Sequence, residues 1–133
     1  MITLANVRDW VKTLNTGAEF YYCGKLNSKK EKSIGIYQPQ SRPPGRVCLG
    51  GIDNNFYDIK PISLLVHWNN NSTQTENAAL TVYQAIQRAS DITIAGHHVC
   101  FIEMGNNEPI DVSTDENGIY ERVIEFNIYF ERT

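Results

Sequence analysis

The chain has no surplus of positive charge, no cysteine pairing pattern and no long apolar run, and each absence removes a class of function. Its 133 residues hold 12 Lys and Arg against 15 Asp and Glu, a formal net charge of -3 at pH 7. Nucleic-acid binders neutralise phosphates with clustered cations, so this composition gives no reason to expect a DNA-binding role. Cys23, Cys48 and Cys100 are an odd number without Cys-x-x-Cys spacing. They suggest neither a disulfide framework nor a zinc knuckle and read as buried thiols. No window approaches the roughly 18 apolar residues of a membrane span, and residues 1–9 carry no apolar stretch behind a basic start. A protein made and kept in a cytoplasm is expected, in which the overlapping sequons at Asn70 and Asn71 have no role.

Catalytic signatures are missing as well. There is no Gly-x-Ser-x-Gly elbow, P-loop, dinucleotide fingerprint or His-Glu-x-x-His, and Gly50-Gly51 precedes no helix. What is present is an ordinary globular composition, 41% hydrophobic and 20% charged. A single folded domain over residues 1–133 is expected.

Periodicity sets the element order. Leu4, Val7, Val11 and Leu14 at helical spacing predict a short amphipathic helix over residues 3–14, ended by Asn15-Thr16-Gly17. Residues 19–26, with Phe20, Tyr21 and Tyr22, and residues 33–37 predict strands on either side of a lysine-rich loop. Five prolines and glycines crowd residues 38–51 together with Pro39, so an irregular arm is expected, with at most a brief strand at residues 46–49. Ile62, Leu64, Val66 and Trp68 alternate with Ser63, Leu65 and His67, a largely buried strand over residues 59–68. Thr73-Gln74-Thr75-Glu76 has the form of a capping box and predicts a helix over residues 74–89, with Ala79, Val82, Tyr83, Ile86 and Ala89 inward. Ala95-Gly96 marks the turn of a hairpin spanning residues 92–104. After an acidic loop, Tyr120, Ile124, Phe126, Ile128 and Phe130 alternate with Glu121, Glu125, Asn127 and Glu131, the cleanest strand in the chain. The fold class is α+β: a mixed or largely antiparallel sheet with two helices packed against it.

Chemistry-bearing residues read mostly as structure. Asp111, Asp115, Glu116 and Glu121 do not meet calcium-loop spacing, and Asp115-Glu116-Asn117-Gly118 reads as a turn. His98 and Cys100 share one strand face while His97 takes the other, so three metal ligands do not converge there. His67 reads as a core or interface residue. The aromatics Tyr21, Tyr22, Tyr37, Phe56 and Tyr57 fit a core better than a base-stacking platform. No catalytic residue, metal or cofactor is expected.

Residues 108–132 read Glu-Pro-Ile-Asp-Val-Ser-Thr-Asp-Glu-Asn-Gly-Ile-Tyr-Glu-Arg-Val-Ile-Glu-Phe-Asn-Ile-Tyr-Phe-Glu-Arg. This run, the helix of residues 78–90 and the segment Glu31-Lys32-Ser33-Ile34-Gly35-Ile36-Tyr37 resemble the phage minor capsid proteins regarded as tail terminators, found in siphophages and prophages of Gram-positive bacteria. The resemblance implies a non-enzymatic virion protein at the head-tail junction, made in the bacterial host. It also implies a homo-oligomeric ring, commonly a hexamer, that caps the tail tube and meets the tail tube protein and a head-completion or connector protein. No membrane and no specific nucleic-acid sequence are implied. Two alternatives stand beside it: a head-side connector or stopper, and a small metal-dependent hydrolase or nuclease using Asp111, Asp115 and Glu116.

Charge is divided along the chain. Nine basic and five acidic residues precede His67, and three basic and ten acidic residues lie from His67 onward. A ring uses two different patches of each subunit, and opposite charges help set their register. The candidate interface set is therefore Lys25, Lys29, Lys30 and Lys32, with Arg42 and Arg46, facing Asp115, Glu116, Glu121, Glu125 and Glu131 of the next subunit. An acidic surface lining a channel for passing DNA is a second use of the same carboxylates.

Overall fold

The computed structural model describes residues 1–39 and 56–132. The elements follow the order α1 (Leu4–Lys12), β1 (Phe20–Cys23), β2 (Ser33–Tyr37), β3 (Tyr57–His67), α2 (Ser72–Gln87), β4 (Thr93–Ile94), β5 (His97–Met104), β6 (Ile110–Thr114) and β7 (Tyr120–Glu131). They build an α+β fold whose sheet is mixed and mostly antiparallel.

Two long strands make the spine. β3 and β7 pair antiparallel from Tyr57 opposite Glu131 to His67 opposite Glu121. β2 lies antiparallel on the other side of β3, and β1 adds to it in parallel. The second edge of β7 is divided: β5 takes its C-terminal half and β6 its N-terminal half. A 12-residue strand is long enough to hold two short partners end to end.

Both helices cover one face of this sheet. Ile62, Leu64 and Val66 of β3 and Ile124, Phe126, Ile128 and Phe130 of β7 are buried there, at the alternating positions the periodicity predicts. They join Val7, Trp10 and Val11 of α1, Ala79, Val82, Tyr83 and Ile86 of α2, and Ile34 and Ile36 of β2 in the core. Trp10 belongs to this set although the helical spacing did not single it out.

The start of α2 differs from expectation. Thr73 does not cap α2; Asn71 does, its side chain accepting from the Gln74 backbone N-H at 3.0 Å. Asn69 explains the choice, because its Oδ1 accepts from the Asn71 N-H and its amide donates to Gln74 Oε1, which fixes the helix start two residues earlier. A capping box does occur, but on α1, where Thr3 and Asn6 exchange side-chain and backbone bonds at 3.0 and 3.1 Å.

The β4-β5 hairpin turns at Ala95 and Gly96, both at positive φ, as a two-residue hairpin turn of the primed type requires. Beyond it the register shifts between Val99 and Phe101, leaving Cys100 as the extra residue of a bulge. The bulge reverses the alternation, so Ile102 and Met104 pack on the core while Phe101 turns outward.

Three expectations are corrected here. The acidic stretch before β7 is not only a loop: residues 110–114 form β6, too polar and exposed to show as a strand by periodicity. Cys23 and Cys100 are exposed, one closing an edge strand and the other on the bulge. Phe56 is 85% exposed and outside the core. The arm over residues 40–51, the brief strand at residues 46–49, and Arg42, Arg46 and Cys48 lie outside the described residues.

Candidate functional site

The face of the sheet away from the helices carries the features that ordinary folding leaves unexplained. At one end of it, Phe101 stacks on Tyr129 with ring centroids 4.2 Å apart, and Tyr57 tilts against the same ring at 5.8 Å. Cys100 joins these three rings around a shallow apolar hollow. Phe101 remains 53% exposed, and Ile110 and Val112 of β6 are also exposed. Glu103 edges the patch, accepting from Asn127 Nδ2 and the Tyr129 hydroxyl. Apolar side chains on an otherwise polar strand, beside a strand edge unpaired among the described residues, are features of a surface that meets another chain.

The opposite end of the same face is closed by the lysine loop. Leu26 packs against Gly35, and its backbone N-H donates to the Tyr37 hydroxyl. A side chain at Gly35 would lie 2.7 Å from the Tyr37 ring, so this close approach needs glycine. Burial raises the Tyr37 phenol above its usual value; the Leu26 bond pulls the other way, and the charge of Glu121 adds to the rise.

Beneath the loop lies a polar cluster around His67, whose side chain is wholly buried. Its Nδ1 is 2.8 Å from Glu121 Oε2 and 3.7 Å from Asp115 Oδ2, and its Nε2 is 3.0 Å from the carbonyl of Ser28. The β3-β7 register places His67 opposite Glu121. Asp115 opens the β6-β7 turn, its Oδ1 accepting from the N-H groups of Asn117 and Ile119, which aims Oδ2 at the histidine. Asn117 reaches Ser28 as well. Lysine loop and acidic turn therefore sit side by side within the chain.

The predicted interface residues distribute as follows. Lys25, Lys29 and Lys30 are exposed, with the Lys30 ammonium 5.5 Å from the Phe20 ring centre. Lys32 is half-buried at positive φ, its backbone bonded to Glu19, Phe20 and Trp68. Asp115 and Glu121 are engaged with His67, whereas Glu116 is exposed and Glu125 half-buried. Glu131 lies at the far end of β7, 3.3 Å from His98.

The three carboxylates considered for hydrolysis do not converge. Asp111 lies 4.0 Å from Arg122, Asp115 turns to His67, and Glu116 faces solvent. Sequence reasoning missed the group that does converge, because His67 and Glu121 are 54 residues apart. A signal existed: two strands of matched length, one ending at His67 and the other starting next to Glu121, pair those residues if they run antiparallel. Nothing in the sequence pointed to Ser28.

A family model described as bacteriophage tail terminator protein matches residues 1–132. No curated protein matches the chain.

Proposed function

Because the chain belongs to the bacteriophage tail terminator family, a family of structural tail proteins of the virion, we propose that it caps the finished tail tube as a homo-oligomeric ring and presents the surface that joins the head. The family match over residues 1–132 carries this reading. The partners are further copies of the chain, the tail tube protein and a head-completion protein, and a hexamer is the proposed ring.

Two surface features support ring contacts. The Phe101, Ile110 and Val112 side chains and the second edge of β6, which pairs with no strand among the described residues, supply apolar area and free backbone groups. The charged patches lie at different ends: Lys25 and Lys29 beside the His67 cluster, Glu131 ten residues along β7, roughly 33 Å away at strand rise. Separate, opposite patches suit a head-to-tail contact, in which one subunit's loop meets its neighbour's carboxylates. With Asp115 and Glu121 engaged internally and Glu116 in the turn beside the lysine loop of its own chain, Glu125 and Glu131 are the proposed acceptors.

The double variant Lys25→Glu, Lys29→Glu tests this pairing. Both side chains are exposed and far from the core, so the fold is expected to hold within about 0.5 kcal/mol. Ring formation on tails, scored by negative-stain microscopy, is expected to fall at least tenfold, with partial recovery when Glu131→Lys is added. Unchanged assembly from low to high salt would sink the charge-pairing idea.

A further inference from the structure

We infer that His67, Asp115 and Glu121 form a binding site for one divalent transition-metal ion, which ties the lysine loop and the β6-β7 turn to the end of β3. The three ligand atoms lie within 4.8 Å of one another. The Ser28 carbonyl can only accept, so His67 Nε2 carries a hydrogen and donates it. That bond orients Nδ1 toward the carboxylates, and a backbone carbonyl on the second ring nitrogen is the usual outer support of a metal-bound histidine.

A proton alone does not serve all three groups. On Nδ1 it would join the histidine to Glu121 at 2.8 Å, yet Asp115 Oδ2 is buried and accepts no hydrogen bond. The Asp115 side chain has little freedom to leave, since its other oxygen holds two backbone N-H groups of the turn. A divalent ion takes one bond from each atom and neutralises both carboxylates. Tetrahedral ligands about 2.1 Å from zinc stand roughly 3.3–3.5 Å apart, and the two nitrogen-oxygen separations here, 2.8 and 3.7 Å, bracket that spacing.

Imidazole favours Zn2+ and its neighbours over Ca2+ or Mg2+, so Zn2+ is the probe. The full chain, freed of metal with a chelator, is titrated with Zn2+ in competition with a chromophoric chelator, and its Tm is followed in parallel. Saturation at one Zn2+ per chain is expected, with a Tm rise of roughly 10 °C at a hundredfold excess over Kd that the chelator reverses. Asp115→Asn keeps the acceptor the turn uses, and Glu121→Gln keeps an acceptor beside Nδ1. Each is expected to weaken binding by about 10- to 100-fold or more while the apo protein stays folded. Absence of stoichiometric binding overturns the site, as does binding undiminished in both variants, which would place the metal at His97, His98 or the exposed thiols.

Discussion

Phe126→Ala should lower the free energy of unfolding by about 3–5 kcal/mol, a large share of the 5–15 kcal/mol available to a domain of this size. Phe126 is 2% exposed and sits on the central strand, opposite Ile62 on β3 and Met104 on β5. Its neighbours belong to three strands that cannot close independently, because β7 is hydrogen-bonded on both edges. The space left by the ring therefore remains in part a cavity, and its cost adds to the lost burial. Urea titration followed by fluorescence is the measurement: the midpoint should fall with little change in slope. A loss below about 1 kcal/mol would mean that Phe126 is not central to the core.

His67→Leu comes next, with an expected loss of about 2–4 kcal/mol, because it leaves partners unsatisfied rather than merely removing a contact. Leucine supplies no donor to the Ser28 carbonyl and nothing to oppose the two carboxylates, which then repel across a largely buried gap. Part of the damage should be local. The lysine loop loses a rivet, so amide exchange at residues 26–31 and in the turn at residues 115–118 should accelerate more than in β3 itself. Equal protection in wild type and variant would show that the histidine does not hold the loop.

Elements that bury one full face were legible in the sequence, because burial imposes the alternation that periodicity detects. β7 and β3 show this plainly, as does the inward stripe of α2. β6 was not legible: all five of its residues are exposed, so Ile110 and Val112 are too short an alternation to mark a buried face, and pairing with a pre-formed edge of β7 makes it a strand. Phe101 escaped for a related reason. The bulge at Cys100 reverses the alternation on β5, and strict alternation would have turned this aromatic the other way. At the α2 start two capping patterns overlapped, and the one with a second asparagine behind it prevailed. The His67 cluster depends on a long-range register together with a loop carbonyl; local pattern carries the first only weakly and the second not at all.

These features fit one physical scheme. A β3-β7 spine packed against two helices is stiff, and at one end the His67 cluster fixes a charged loop and turn upon it. Rigid, pre-organised patches lose little entropy on binding a partner, which suits the proposed assembly on the end of a tail tube. The exposed aromatic patch at the other end is the second proposed contact, of different character.

The proposed capping role is tested most directly by electron microscopy of tails assembled with and without the protein. Tails of uniform length bearing a terminal ring in its presence, and overgrown or headless tails in its absence, are the predicted result; tails of normal length with unsealed heads in its absence would contradict capping and place the protein on the head side.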